Sequence, residues 1–476
     1  MKRPIICLFL TLSFVQILLA QEKWDLKRCV EYAIANNISV KQADLQSRFS
    51  ALQLQQNKLS AYPNLNLQTN AGYRFGRSEN PATGILEDNN FFNTGFGLQS
   101  NVSLFDWFSK KYSIHASRLE HEADLAQVKK VQDDVALNVA VAYLQALLAK
   151  EQINISAVQV DQTRAQLEVT RKRVNAGALP ELNAAELEAQ LARDSSTYVS
   201  AQSNLQQLLL QLKAVLNLDA AAPFDIEAPP VEMIPLENLA DLQPEVVYQS
   251  ALQNLPLQKV NKLRMQSNEE VVKAARAGMY PSISAYASLG SNYVNIGFPE
   301  FLPGPKETTG ATVFVNGIEY QVLRPGIVPT GREIQTPLGR QFQNNFGQNV
   351  GLSLNVPIFN GGELRTNWER SKLNVRQSQL QIENDNQVLK QDIYSAYTDA
   401  VAAIQKFNAS RKSVEAAQKA YDFAQKRYDV NLTSTFELLN SQNNLLRARI
   451  EMLSAQFDYV FKLKLLEFYK GQGMKL

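Results

Sequence analysis

The sequence predicts a mainly α-helical fold with a transmembrane β part: a tandem repeat of long helical hairpins with four long strands per chain. Three observations carry this. Two regions of the 476-residue chain repeat one another motif by motif. Four segments alternate apolar and polar residues over long stretches. Two runs, Phe108 to Asn175 and Glu363 to Asp429, contain neither proline nor glycine, so nothing local stops a helix there.

The repeat is read from paired motifs. Tyr62-Pro63-Asn64-Leu65 matches Tyr280-Pro281-Ser282-Ile283 at an offset of 218, which Ala33/Ala251 and Asn36/Asn254 share. Further on, Gly97-Leu98 and Phe105-Asp106 match Gly351-Leu352 and Phe359-Asn360 at an offset of 254, kept by Arg173/Arg427 and Leu191/Leu445. The offset grows by 36, so the second copy carries an insertion between about 292 and 344. The copies are expected over 21–217 and 245–470, joined by a Pro-rich linker, 218–244.

Each copy reads helix, strand, strand, helix, helix. In the strand expected over 62–75, Leu65, Leu67, Thr69, Ala71, Tyr73 and Phe75 share one face and Asn64, Asn66, Gln68, Asn70 and Arg74 the other. The strands expected over 92–106, 280–293 and 345–359 alternate in the same way. They are as long as membrane-spanning strands, and their apolar faces end in aromatics, Tyr62, Phe105, Trp107, Phe108, Tyr280 and Phe359, as a membrane-interface girdle would. Four strands cannot close a barrel, and lipid forbids an open sheet edge. Identical chains must therefore pool their strands, two giving eight and three giving twelve.

The long helices follow. Asp106 and Asn360 are expected to cap them, and at 1.5 Å per residue each is about 100 Å long. The return helix of the second copy alternates Phe436, Asn443, Ile450 and Phe457 with Leu439, Leu446, Leu453 and Val460 in heptads. That of the first copy opens at Pro180. The hairpins are expected over 108–217 and 362–468.

Lys2 and Arg3, the apolar run Ile5–Ala20 and polar Gln21-Glu22 read as a secretory signal over 1–20. Without Lys2 and Arg3 the charges balance, 46 against 46, which argues against nucleic acid as a partner. Cys7 falls in the leader, so Cys29 has no bridging partner. No transmembrane helix is expected. Neither a phosphate-binding Gly-rich loop nor a zinc-type His pair occurs; His115 and His121 are expected as solvated helix-surface residues. No catalytic site, metal or cofactor is expected. The hairpin tips, Arg173 to Gly177 and Arg427 to Asn431, carry an unusual density of polar residues nearby, including Asn183, Glu437 and Asn440. In the insertion Asn316-Gly317 between apolar runs signals a β-hairpin, surrounded by prolines, within an outward loop expected over 294–344.

These features resemble the TolC family of outer-membrane efflux ducts. The residues that carry the likeness are Tyr62-Pro63 and Tyr280-Pro281 entering strands, Leu104-Phe105-Asp106 and Ile358-Phe359-Asn360-Gly361-Gly362 leaving them, and the tips followed by Phe436 to Asn440. The resemblance implies a homotrimer with a 12-stranded outer-membrane β-barrel in the outer-membrane lipid and a periplasmic α-helical barrel. It would be the passive exit duct of a tripartite pump or type I secretion system. Its partners would be a periplasmic adaptor, docking at the tips (Arg173, Gly177, Arg427, Asn431), and an inner-membrane transporter of RND or ABC type. The resemblance places a periplasmic gate at Glu437 and Asn440, the family's acidic rings, and at Asn183, Tyr428 and Thr433. Asn440 and Thr433 lack the family's charge, so the ionic latch is expected to be missing. Three Glu437 side chains on an axis would attract divalent cations. The rival reading is a periplasmic coiled-coil adaptor or scaffold without a barrel.

Overall fold

The computed structural model describes residues 23–79, 84–88, 90–227, 236–430 and 432–471; the expected leader lies outside them. The chain divides into two compact units. One holds residues 53–117 and 268–373, the other the rest.

The first of these units contains the sheet. Its strands are β1 (Asn66–Arg74), β4 (Phe91–Phe105), β5 (Ser282–Val294) and β8 (Gly347–Asn355), antiparallel in the order β1-β4-β5-β8. Short β2 (Arg77–Glu79) and β3 (Leu86–Asp88) pair with each other. The register keeps the predicted faces together. Leu67 lies opposite Leu98, Leu98 opposite Leu289, and Ala285 opposite Leu352. On the other face Asn66 meets Gln99, Gln99 meets Ser288 and Ser288 meets Asn349. Phe342 covers one end of the apolar face, 5.6 Å from Phe96; among the described residues the rest is largely exposed, Leu67 at 66% and Val350 at 81%.

The strands are shorter at their aromatic ends than the alternation suggested. Tyr62 and Tyr280 precede β1 and β5, and Phe359 follows β8, which ends at Asn355; Pro357 cannot donate to a ladder. Each sheet half hands over to a helix, α3 (Ser109–Asn175) or α8 (Glu363–Asp429), through two residues in the left-handed conformation. These are Trp107 (φ 52°) and Phe108 (φ 65°) in the first copy and Gly361 (φ 66°) and Gly362 (φ 82°) in the second. Asp106 caps α3 by accepting from the Lys110 N–H at 3.3 Å. Asn360 differs from expectation: its backbone carbonyl, 3.4 Å from the Glu363 N–H, closes the turn.

The insertion forms a ribbon far longer than its turn signal indicated, β6 (Phe298–Val315) against β7 (Ile318–Ile334). Asn316 (φ 52°) and Gly317 (φ 80°) make the turn, the left-handed pair that matches strand twist. Of the prolines expected around the hairpin, Pro299, Pro303, Pro305, Pro325 and Pro329 lie within it, and Pro337 lies beyond. Helix α7 (Leu338–Asn344) was not anticipated; buried Gln341 ties it to β5, donating to the Val294 carbonyl (2.9 Å) and accepting from its N–H (3.1 Å).

The other unit is helical: α1 (Leu26–Asn36), most of α2 (Ile38–Leu59), the far parts of α3 and α8, α4 (Glu181–Leu216), α5 (Pro244–Asn254), most of α6 (Pro256–Ala277) and α9 (Thr435–Tyr469). Its two cores repeat the two offsets. Cys29, Ala33, Val139 and Leu212 are fully buried in one core, and Val247, Ala251, Ile393 and Leu466 in the other. Burial pushes the Cys29 thiol up to about 12, which keeps it unreactive. The expected linker is not a free tether: Phe224 and Ile226 enter the first core and Leu242 the second.

Two expectations hold only in part. The predicted heptad of α9 is buried at Leu439, Phe457 and Val460, but near the tip the buried stripe runs through Leu438, Gln442 and Leu445, about one position away, and Phe436 is 71% exposed. A polar network centred on Gln442, described below, occupies the seam. Of the histidines, His115 is exposed as expected, its Nδ1 3.4 Å from Glu270, whereas His121 is half-buried, its Nδ1 3.2 Å from the Ser50 hydroxyl.

Gly362→Ala should destabilise the protein by about 1 kcal/mol, because a Cβ there meets no neighbour yet the left-handed backbone penalises it. An unchanged thermal midpoint would refute the conformational argument.

Candidate functional site: the hairpin tips and the open sheet

Both tips close by the same device at equivalent positions. The Ala178 N–H donates to the Arg173 carbonyl, and the Leu432 N–H to that of Arg427. Gly177 is left-handed at φ 73°; Asn431, its expected equivalent, lies outside the described residues.

The predicted gate residues divide into two groups. Glu437, Thr433 and Arg427 come together at the second tip. The Thr433 hydroxyl donates to Glu437 Oε2, Arg427 Nη1 lies 3.6 Å from Glu437 Oε1, and the Ser434 hydroxyl caps α9 by accepting the Glu437 N–H. Arg427, expected to face an adaptor, thus offsets the Glu437 charge. Asn440 is exposed beside a groove of about 250 Å³ lined by Glu186, Arg193, Phe436 and Asn443.

Tyr428 is separate and buried. Its hydroxyl bonds to Thr170 at 3.1 Å, not to Asn183, whose backbone N–H closes the turn at Pro180. Thr170 sits on α3, facing Tyr428, whereas Asn183 lies in the first turn of α4. Beside Tyr428, burial raises the Tyr421 hydroxyl above its ordinary pKa.

Sequence reasoning missed a polar seam that joins the two hairpins. The Gln442 amide donates to Thr163 at 3.1 Å, and Thr163 donates to Asp194 at 2.6 Å. Gln190 donates to the other Asp194 oxygen at 2.7 Å and to Asn443 at 3.2 Å. Gln166 donates to Gln425 at 3.0 Å. Asp194 is 5% exposed and Gln442 2%. The signal was present: Asp194 stands seven residues after buried Leu187, on the same stripe. Among the described residues no ion pair joins the first hairpin to the second; every tip-proximal link between them is an uncharged hydrogen bond, with Asp194 confined to the first.

At the helix-proximal end of the sheet, Phe105, Trp107, Phe108 and Tyr280 form one aromatic cluster, with Trp107 5.0 Å from Tyr280 and 5.4 Å from Phe105. Tyr62 and Phe359 stand apart, strongly exposed. Among the described residues no group of acidic, His or Cys side chains could hold a metal, and no helix is long and apolar enough to cross a membrane.

A four-stranded sheet with a largely exposed apolar face, leading into two 67-residue helices about 100 Å long, is the architecture of a membrane-channel subunit. The chain belongs to the outer membrane efflux protein family, whose profile matches residues 29–218 and 334–471. It is 22% identical over 410 residues to the outer membrane efflux protein BepC of Brucella suis, covering 83% of this chain and 74% of that one. To the outer membrane protein TolC of Escherichia coli it is 23% identical over 399 residues, covering 82% and 71%. Its fold matches the solved structure of CusC with a TM-score of 0.73 at 18% identity, over 95% of this chain and 93% of that one.

Tyr428→Phe should cost about 1 kcal/mol by leaving Thr170 unpaired in the interior. Amide exchange across 421–440 should then quicken; unaltered protection would mean that this bond does not hold the tip.

Proposed function

We propose that this chain is the passive outer-membrane exit duct of a tripartite efflux pump or a type I secretion system, carrying solutes from periplasm to exterior. One observation carries the reading: the β1-β4-β5-β8 sheet leaves most of its apolar face exposed and, among the described residues, both outer edges, β1 and β8, unpaired. In hydrocarbon those edges must pair, and β8 of one chain meeting β1 of the next does so. Three chains give twelve strands, the number that the likeness to TolC implies. Family membership places the barrel in the outer membrane. The sheet's polar face, Asn, Gln and Ser on every strand, then lines the duct, and Phe105, Trp107, Phe108 and Tyr280 sit at the lipid boundary, with Tyr62 and Phe359.

The tips, Arg173 to Gly177 and Arg427 to Asn431, meet a periplasmic adaptor, and an inner-membrane transporter supplies the energy. The protein performs no chemistry of its own. Tyr428, Asn183, Asn440, Thr433 and Glu437 form the periplasmic gate, with one Glu437 from each chain near the axis. The rival reading, a scaffold without a barrel, leaves the exposed apolar face without a role.

The detergent-extracted protein should have the mass of three chains by light scattering; a water-soluble single chain would sink the duct reading. Divalent cations should block the reconstituted channel. Block should vanish in Glu437→Ala and strengthen in Arg427→Ala, which frees the carboxylate. Block indifferent to both substitutions would remove Glu437 from the gate.

A further inference from the structure

The family profile leaves out residues 219–333, the β6–β7 ribbon among them. No other element packs substantially against it. A lone two-stranded ribbon is marginal in water, and this one has two distinct parts. The stem carries Pro299, Pro303 and Pro305 on β6 and Pro325 and Pro329 on β7. Proline offers no N–H, so the stem's edges are guarded against further strands.

The tip has no proline between Thr312 and Val322, and its two faces differ. Val315 opposes Ile318 and Val313 opposes Tyr320, so these four share a face with Val322. Their exposures run from 39% for Val322 to 59% for Ile318. The opposite face pairs Phe314 with Glu319 and Thr312 with Gln321. Glu319 is the only charged residue from Thr308 to Leu323, and it lies on this back face.

We infer that the apolar faces of three tips pack on one another, capping the outward end of the duct. This rests on the trimeric reading above. Lipid does not suit the tip. Seventeen residues of strand reach about 55 Å, well beyond the ~30 Å hydrocarbon layer, and the stem carries a Glu307–Arg324 pair at 3.0 Å midway, which hydrocarbon disfavours. A second copy does suit it. The ribbon leaves β5 and returns into β8, the edge strand where the next chain joins. Three tips are thus tethered to one barrel at high effective concentration. The shared face bears no charge, so symmetry brings no like charges together.

Val315→Cys tests this, with Phe314→Cys as the back-face control. The mature chain's other thiol, Cys29, is fully buried. In the purified trimer, oxidation by copper phenanthroline should link Val315→Cys chains in pairs about tenfold more than Phe314→Cys chains, the gain expected of a tethered contact. Ile318→Cys should behave as Val315→Cys does. A particle of three chains in which both tip cysteines stay unlinked and react fully with a maleimide–polyethylene glycol overturns the cap and leaves the duct intact. A single-chain mass removes the duct and the cap together. Tip cysteines shielded on intact cells but free in the purified trimer would assign the face to a foreign partner and also overturn the cap.

Discussion

The hydrogen bonds that β1 and β8 cannot make within one chain are the constraint on which the rest depends. A backbone N–H or C=O without a partner costs several kcal/mol in hydrocarbon. The two edges therefore act as an obligatory interface before any side chain is considered. The sheet's exposed apolar face is stable only once the edges have closed around a lumen. Oligomerisation is thus a condition for this sheet to exist in a membrane.

Duplication provides that sheet with matched ends. Residues at the two offsets occupy the same buried positions, Ala33 with Ala251 and Val139 with Ile393, and both hairpins close by the same carbonyl contact. The copies diverge where their tasks diverge. Gly361 and Gly362 adopt the left-handed turn freely, whereas Trp107 and Phe108 hold it at a cost of about 1 kcal/mol or more each. The return is an aromatic cluster with Phe105 and Tyr280 at the sheet's helix-proximal end. One half of each chain is anchored by bulky rings, and the other turns without them.

What was legible in the sequence was periodic. Alternation marked all four strands and their faces, and the absence of Pro and Gly marked the long helices. Asn316-Gly317 marked a turn that the backbone makes. The shortfalls share one cause: they depend on partners distant in the chain. Near the tip the α9 seam moves off the apolar heptad where Gln442 is buried and bonded to Thr163, 279 residues away. The hydroxyl of Tyr428 meets that of Thr170, 258 residues away, a contact that no local pattern announces. Helix α7 is held by Gln341 bonding the backbone of Val294, by the Ser291 hydroxyl on the Phe342 carbonyl and by Phe342 against Phe96, and seven residues carry too little pattern to announce it.

The chemistry of the inter-hairpin links determines how the tips can move. An ion pair between hairpins would attract over a distance and be screened by salt. The links here, Gln442–Thr163, Gln190–Asn443, Gln166–Gln425 and Tyr428–Thr170, are short-range and uncharged. Each contributes about 1 kcal/mol while its geometry holds and little once it is lost. Any separation of the two hairpins would therefore proceed by breaking contacts in sequence rather than by a change in a long-range field. A displacement that aligns other amides along the Gln-rich seam can remake such bonds, so an altered tip arrangement need not leave buried groups unpaired. Asp194 fits the same scheme. Held by Thr163 and Gln190 of its own hairpin, its carboxylate would stay satisfied were the second hairpin to move away, so such a movement would strand no buried charge.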